Sequence, residues 1–424
     1  MAALGFLFDI YEVLVAPLTM QPALLELGNL QPGSAEYRDW ASYLFWFPPL
    51  VGGFCGLWGG YFADRYGRRR ILTWSILLYT VAAFAAGMVT SLPELLACRI
   101  LAFAGVCVEF VAALAWLSEL FTDPRTREAV IGYTQAFSSL GGVVVSAAFY
   151  LANRFGPMLP SIHGGHSAWR YALMFGLAPA LPLALIRPWL PESPEWSAKR
   201  AAGELKRPRF AELFDARFRK TTIVTFLMFA CAYGLAYGTI QQSPQIASAL
   251  KEVVDLEPSE RGQASASVQA SQEFGGLLGR SLVAGLGLVI LSRRTLIRIF
   301  LIPGLALTPV VFLYSSADTL QMFRIGIFVA GITTVAHLNF LGNYLPRVYP
   351  VHLRGTGEGF AANVGGRMVG TSASWMVTHL AAQMPGPSPG VKLAYAAAAM
   401  GMVLYSAALA LTFWLPEPPE NLAD

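Results

Sequence analysis

The heptad "WLPESPE" at residues 189–195 ends one apolar run and opens the most basic segment of the chain, and "WLPEPPE" at 414–420 follows another such run near the C-terminus. The copies lie 225 residues apart (414 − 189 = 225). Sliding the chain along itself by that offset brings Gly60 onto Gly285, Arg68 and Arg69 onto Arg293 and Arg294, and Arg99 onto Arg324. After the fourth apolar run the offset grows by two, so that Arg127, Gly132 and Tyr133 fall on Arg354, Gly359 and Phe360. The chain is an internal duplication.

Composition says what is duplicated. Only 13% of the 424 residues are charged, 55% are hydrophobic and mean hydropathy is +0.51, whereas a soluble domain carries about a quarter charged residues. One soluble core cannot absorb that much apolar surface, so the chain reads as an integral membrane protein. Twelve runs are long enough to cross a hydrocarbon core of about 30 Å: residues 3–26, 41–62, 71–91, 93–117, 129–152, 169–189, 221–243, 263–291, 295–315, 319–342, 356–381 and 392–414. Each half holds an even number of runs, so both halves point the same way and are related by an axis along the membrane normal, as in two bundles that rock about a central site. The expected fold is all-α, with twelve transmembrane helices in two pseudo-symmetric six-helix bundles. Residues 1–189 form the first bundle, 190–220 a cytoplasmic linker and 221–424 the second bundle.

Orientation follows from Lys and Arg. Alternate connections, starting with 63–70, hold 20 of the 30: residues 65, 68, 69, 70, 125, 127, nine between 187 and 220, 293, 294, 298, 347 and 354. The opposite connections hold six, at 38, 154, 170, 251, 261 and 392. By the positive-inside tendency the first set is cytoplasmic together with both termini, and the expected location is a bacterial inner membrane.

Several function classes drop out. Cys55, Cys98, Cys107 and Cys231 all fall in apolar runs without CxxC spacing, which suggests neither a disulfide framework nor a metal site. No Walker loop, HExxH or GxSxG is present, so neither ATP drive nor hydrolysis is supported, and no enzyme activity or cofactor is implied. The expected partners are a small-molecule substrate, protons and membrane lipid, with no nucleic acid, and the expected state is a monomer. The segment 187–220, with nine basic residues against five acidic, suits contact with anionic lipid.

The segment "GYFADRYGRRR" (60–70) resembles the cytoplasmic signature of the major facilitator superfamily between its second and third helices. "PESPEW" (191–196) and "SELFTDPRTR" (118–127) are similar to the sugar-porter and metabolite–proton symporter branches, and "YPVHLRGTGEGFAANVGGR" (349–367) to the organic-acid–proton symporters. The resemblance implies a transporter with a gating latch at Gly60, Asp64, Arg65, Gly67 and Arg68, joined by Arg99 with its twin Arg324. Physically, Gly60 permits close helix approach, Asp64 can pair with arginines or cap a helix, and the arginines anchor the loop at the headgroups. Val289 replaces Asp64 in the second half, so one copy of the latch is complete.

Function is sought where the halves differ, because shared residues are explained by shared architecture. Asp9 and Glu12 lie three apart on one face of the first span, and their counterparts are Gly234 and Tyr237. Glu109, in the fourth span, faces Thr334 in the repeat. A charge at bilayer depth costs about 2.5–3.5 kcal/mol on insertion scales, which a carboxyl avoids by taking a proton. The three acids are therefore candidate proton-coupling residues, with headgroup solvation of Asp9 and an arginine pair for Glu109 as the plainer readings. Glu273 and Arg280 share a face of the eighth span opposite Pro48 and Cys55, and Arg367 lies within the eleventh span one turn after Asn363. Buried arginine stays charged and offers a fork matched to a carboxylate, which points to an anionic substrate, unless Glu273 simply neutralises Arg280. Tyr233, Tyr237 and Gln241 form a stripe at a spacing of four that could line a cavity or only pack. His337 and His379 read as hydrogen-bonded structural histidines. The expected function is proton-coupled symport of a small organic acid by alternating access; the alternatives are a proton-coupled sugar or polyol porter and a non-transporting ligand sensor.

Overall fold

The computed structural model describes residues 2–121, 140–189, 191–202, 210–290, 292–314, 319–345 and 353–417, with isolated positions at 126, 130, 134, 137, 138, 348 and 349. Its helices are α1 (Ala2–Gly28), α2 (Ala35–Tyr66), α3 (Arg68–Met88), α4 (Leu92–Leu120), α5 (Leu140–Phe155) and α6 (Ala168–Phe175, resuming at Leu177–Ile186). The second half repeats the series with α7 (Arg219–Gly238), α8 (Pro258–Val289), α9 (Arg293–Pro309), α10 (Leu320–Tyr344), α11 (Arg354–Gly359, continuing to Ala381) and α12 (Pro389–Leu411). Seven helices among the described residues are long and apolar enough to cross a membrane on those grounds alone. Others carry polar first turns or a break, such as Gly176 within α6. The helices α2 and α8 begin at Ala35 and Pro258, ahead of the apolar runs expected from 41 and 263, because their first turns ("AEYRDW", "PSERGQ") are polar helix extending beyond hydrocarbon.

The chain divides into two compact units, Met1–Gln31 with Phe47–Arg207, and Pro32–Trp46 with Pro208–Asp424. The same helix pairing builds each. In the first unit α1 packs on α5 at Gly141, where any Cβ would overlap the Leu7 carbonyl; in the second, α7 packs on α11 at Gly366, where a Cβ would lie 2.6 Å from the Tyr233 ring. Within the second unit, the first turns of α2 meet α11 and the short helix Ser243–Ser248 that follows α7. Ser42 and Thr378 hydroxyls lie 2.7 Å apart, Asp39 lies 3.4 Å from His379, and the Tyr37 hydroxyl donates to Gln245 Oε1 at 3.4 Å.

The repeated heptad has a structural job. Glu192 of the first copy accepts the backbone N–H of Arg69 at 3.2 Å, at the start of α3. Glu417, its counterpart, accepts the N–H groups of Arg293 (2.8 Å) and Arg294 (3.0 Å) and the Ser292 hydroxyl (2.8 Å), at the start of α9. The first N–H groups of a helix lack intrahelical partners and carry the positive end of its dipole, so a carboxylate supplied from a distant segment satisfies both needs. Burial works against the Glu417 charge, but the Arg294 and Arg293 amides, the Ser292 hydroxyl and the Arg294 guanidinium outweigh it and hold the carboxyl below its ordinary value. The neighbouring prolines are used alike: Pro191 O accepts from Trp116 Nε1, and Pro416 O from the Tyr344 hydroxyl.

Candidate functional site

The first unit holds a buried set of acids and arginines. Asp9 and Glu12 on α1 are 3% and 2% exposed, and Glu109 on α4 is fully buried. Glu109 is paired with Arg187 at the end of α6, whose Nη1 also donates to Leu72 O at 2.8 Å. This pair lies against the α1 backbone at Gly5, which has no side chain to displace it. The arginine pairing weighed for Glu109 is the arrangement found, and its partner was missed in the sequence, where Arg187 counted only as a linker cation. The signal was there: Arg187 falls on Thr412 in the repeat, so it is an unmatched charge by the test that picked out Asp9 and Glu12.

Glu12 is held more loosely. Its Oε2 lies 3.6 Å from Arg99 Nη1, beyond hydrogen-bonding reach, while Arg99 Nη2 donates instead to the Glu12 backbone carbonyl at 2.9 Å. Glu12 Oε2 is buried with no hydrogen-bond partner among the described residues. Its other oxygen reaches the break in α6, where a Cβ on Gly176 would lie 2.5 Å away. Asp9 acts electrostatically on both Arg187 and the buried Tyr79 of α3. Arg99 and Arg324 differ despite their repeat relation. Arg99 lies buried beside Glu12, whereas Arg324, partly exposed, donates to Gln321 Oε1 at 3.4 Å. Tyr237 stands where an acid would be needed to copy the first pair.

In the 60–70 signature, Gly67 adopts φ 99° between α2 and α3, a conformation that suits glycine. Arg68 is buried and forks onto Glu119 of α4 at 2.8 and 3.0 Å while also donating to Ala63 O. Arg65 is exposed and donates to the Tyr61 hydroxyl at 2.8 Å. The Gly60 and Asp64 surroundings lie outside the described residues.

In the second unit the polar residues converge where the end of α7 meets α8. Gln269 and Gln272 both donate to Glu273 Oε1, at 3.2 and 2.9 Å, and Glu273 interacts electrostatically with Arg280. Gln245 donates to Gln242 Oε1 at 3.2 Å, and Gln242 donates to Tyr237 O at 2.7 Å. Tyr233 and Tyr237 stack with ring centroids 6.3 Å apart. Arg367 is 9% exposed and donates to Asn363 Oδ1 at 2.6 Å. Both sit in Phe360–Gly370, a stretch of α11 wound as π-helix, a widening often found at functional positions. His337 departs from expectation: it is fully buried, and neither ring nitrogen has a hydrogen-bond partner among the described residues. His379 does bond, to Trp375 O at 2.9 Å.

Helices that repeat one series in two units, with acids and arginines buried among them, fit a membrane transporter. The chain belongs to the Major Facilitator Superfamily, whose family profile matches residues 15–374; it is a multi-pass membrane transporter and not an enzyme. It is similar to the probable 4-methylmuconolactone transporter of Cupriavidus pinatubonensis, 27% identical over 336 residues that cover 77% of this chain and 72% of that protein. The cis,cis-muconate transport protein of Acinetobacter baylyi is 25% identical over 317 residues, covering 73% of this chain and 71% of that one. The crystal structure of a D-xylose-proton symporter shares the fold with a TM-score of 0.77 at 17% identity, covering 99% of this chain and 98% of that one.

Proposed function

We propose that this chain is a proton-coupled symporter of a small organic acid, working by alternating access. Asp9, Glu12 and Glu109 handle the proton, and Arg367, helped by Arg280, anchors the substrate carboxylate. The observation that carries the reading is Glu12, a carboxyl 2% exposed whose Oε2 stands 3.6 Å from its arginine and without a hydrogen-bond partner among the described residues. A buried carboxylate held that loosely gains little by keeping its charge, so a proton can neutralise it at small cost in lost contacts. The organic-acid side is supported by relatives named for muconolactone and muconate transport and by a buried arginine on a π-helical stretch. In this reading both termini and residues 190–220 lie in the cytoplasm, the linker touches anionic lipid, and the protein works as a monomer.

A sugar or polyol is the second reading, favoured by the cluster of amide side chains around Gln242 and Gln272. The deciding experiment is uptake into proteoliposomes with an imposed inward proton gradient, for carboxylates and sugars in parallel. Accumulation of a carboxylate that collapses with a protonophore supports the proposal. Gradient-driven uptake of sugars alone refutes it, and ligand binding without uptake of any solute would make the chain a sensor.

A further inference from the structure

Where the short helix Ser243–Ser248 that follows α7 meets α8, two buried acceptors lack a donor among the described residues. Ser265, Gln269, Gln272 and Glu273 lie on one face of α8 and are all 6% exposed or less, and Ser265 donates to Pro244 O at 2.9 Å, tying that face to the short helix. Gln269 and Gln272 each donate one amide N–H to Glu273 Oε1. That bond fixes the orientation of Gln269, because its nitrogen must face the carboxylate, and leaves its carbonyl pointing elsewhere. Gln269 Oε1 and Gln241 Oε1 are both buried without a hydrogen-bond partner among the described residues. Buried acceptors left unpaired are costly, and native proteins rarely tolerate them without a water or ligand to donate.

We infer that this junction is a specificity subsite for an uncharged hydroxyl donor, so that the substrate is a hydroxylated monocarboxylate and not a dicarboxylate. The inference rests on the organic-acid reading above and deepens it. A hydroxyl brought to the junction donates to Gln269 Oε1 or Gln241 Oε1. A second carboxylate brought there meets the same two acceptor oxygens, which offer it no hydrogen. The stacked pair Tyr233 and Tyr237, in the last turns of α7 shortly before Gln241, provides aromatic surface beside the junction, which makes ring acids suitable probes.

The test uses the purified full-length chain in detergent and three ligands of one shape: benzoate, 4-hydroxybenzoate and terephthalate, with affinities from calorimetric titration. The expected order is 4-hydroxybenzoate tightest, benzoate weaker by about tenfold or more for one net hydrogen bond, and terephthalate weakest. In Gln269→Leu the ratio of 4-hydroxybenzoate to benzoate affinity falls toward one. In Glu273→Gln, which removes the charge and adds a donor, terephthalate gains about tenfold. Two variants at different positions guard against loss through misfolding, and each is accepted only with a single melting transition. Equal affinity for benzoate and 4-hydroxybenzoate in the wild type, meaning the acceptors are served by water, overturns the inference, as does tightest binding of terephthalate. If none of the three acids binds while sugars do, the organic-acid reading itself fails and takes this inference with it.

Discussion

Replacing Arg187 by methionine strands Glu109. The pair is almost wholly out of solvent, with side chains 3% and 0% exposed, so the carboxylate cannot recover its lost partner by turning to water. Breaking a buried ion pair from one side costs about 3–5 kcal/mol, whereas replacing both partners by apolar groups of similar volume is often neutral or stabilising. The expectation is therefore a non-additive cycle in which Arg187→Met is strongly destabilised, while Arg187→Met with Glu109→Met recovers most of the loss. On the scale of a bundle this size, roughly 2–4 °C per kcal/mol, the single variant should melt about 6–20 °C below the wild type. Fluorescence-detected size exclusion after heating reads this without reversible unfolding. The reasoning fails if Arg187→Met melts with the wild type, or if the double variant is no better than the single. The cycle also separates roles, because a purely structural Glu109 lets the recovered double variant retain gradient-driven uptake, whereas a proton-handling Glu109 does not.

Other residues give sharper single measurements. In Glu12→Gln, counterflow exchange should persist while proton-driven accumulation is lost; full accumulation in the variant would remove Glu12 from the coupling step. Arg367→Ala should weaken carboxylate binding by about 2–5 kcal/mol, as for a buried charge that loses its partner, and unchanged affinity by titration would move the anchor elsewhere. Glu417→Ala should lower stability by about 0.5–1 kcal/mol through loss of the α9 cap, at the small end because the carboxylate is exposed. Since the folded carboxyl is held below its ordinary value, that contribution is present above about pH 4.3 and disappears as pH falls through the lowered folded value; a wild-type minus variant difference that grows on acidification would contradict it. Gly275→Ala should abolish recovery of folded protein, because its Cβ would overlap the Phe328 carbonyl at the α8–α10 crossing, while Gly285→Ala, with nothing within 4 Å of its Cβ, should behave as wild type.

The repeat comparison found the chemistry only in part. It singled out Asp9, Glu12 and Glu109 as charges without counterparts, and the structure brings Glu12 to Arg99 and Glu109 to Arg187. It passed over Arg187 because an arginine at a span end was counted as a topology signal before its counterpart Thr412 was consulted. The amides Gln269 and Gln272 were invisible for another reason. A glutamine on a helix carries no charge and no periodic signature, and its meaning comes from the carboxylate it faces.

The amino-acid sequence alone determines membrane residence, helix count and the duplication. Each follows from properties summed over many residues: apolar length against bilayer thickness and a register shared across 225 positions. Which acid meets which arginine belongs to the tertiary structure. Arg99 and Glu12 are 87 residues apart, and Arg187 and Glu109 are 78. Whether such a pair closes at bonding distance or stops at 3.6 Å depends on helix crossings set by residues such as Gly5 and Gly176. Ångström differences of that kind decide between a locked ion pair and a carboxyl held at a distance from its arginine, and buried electrostatic energies change steeply with separation and solvent access.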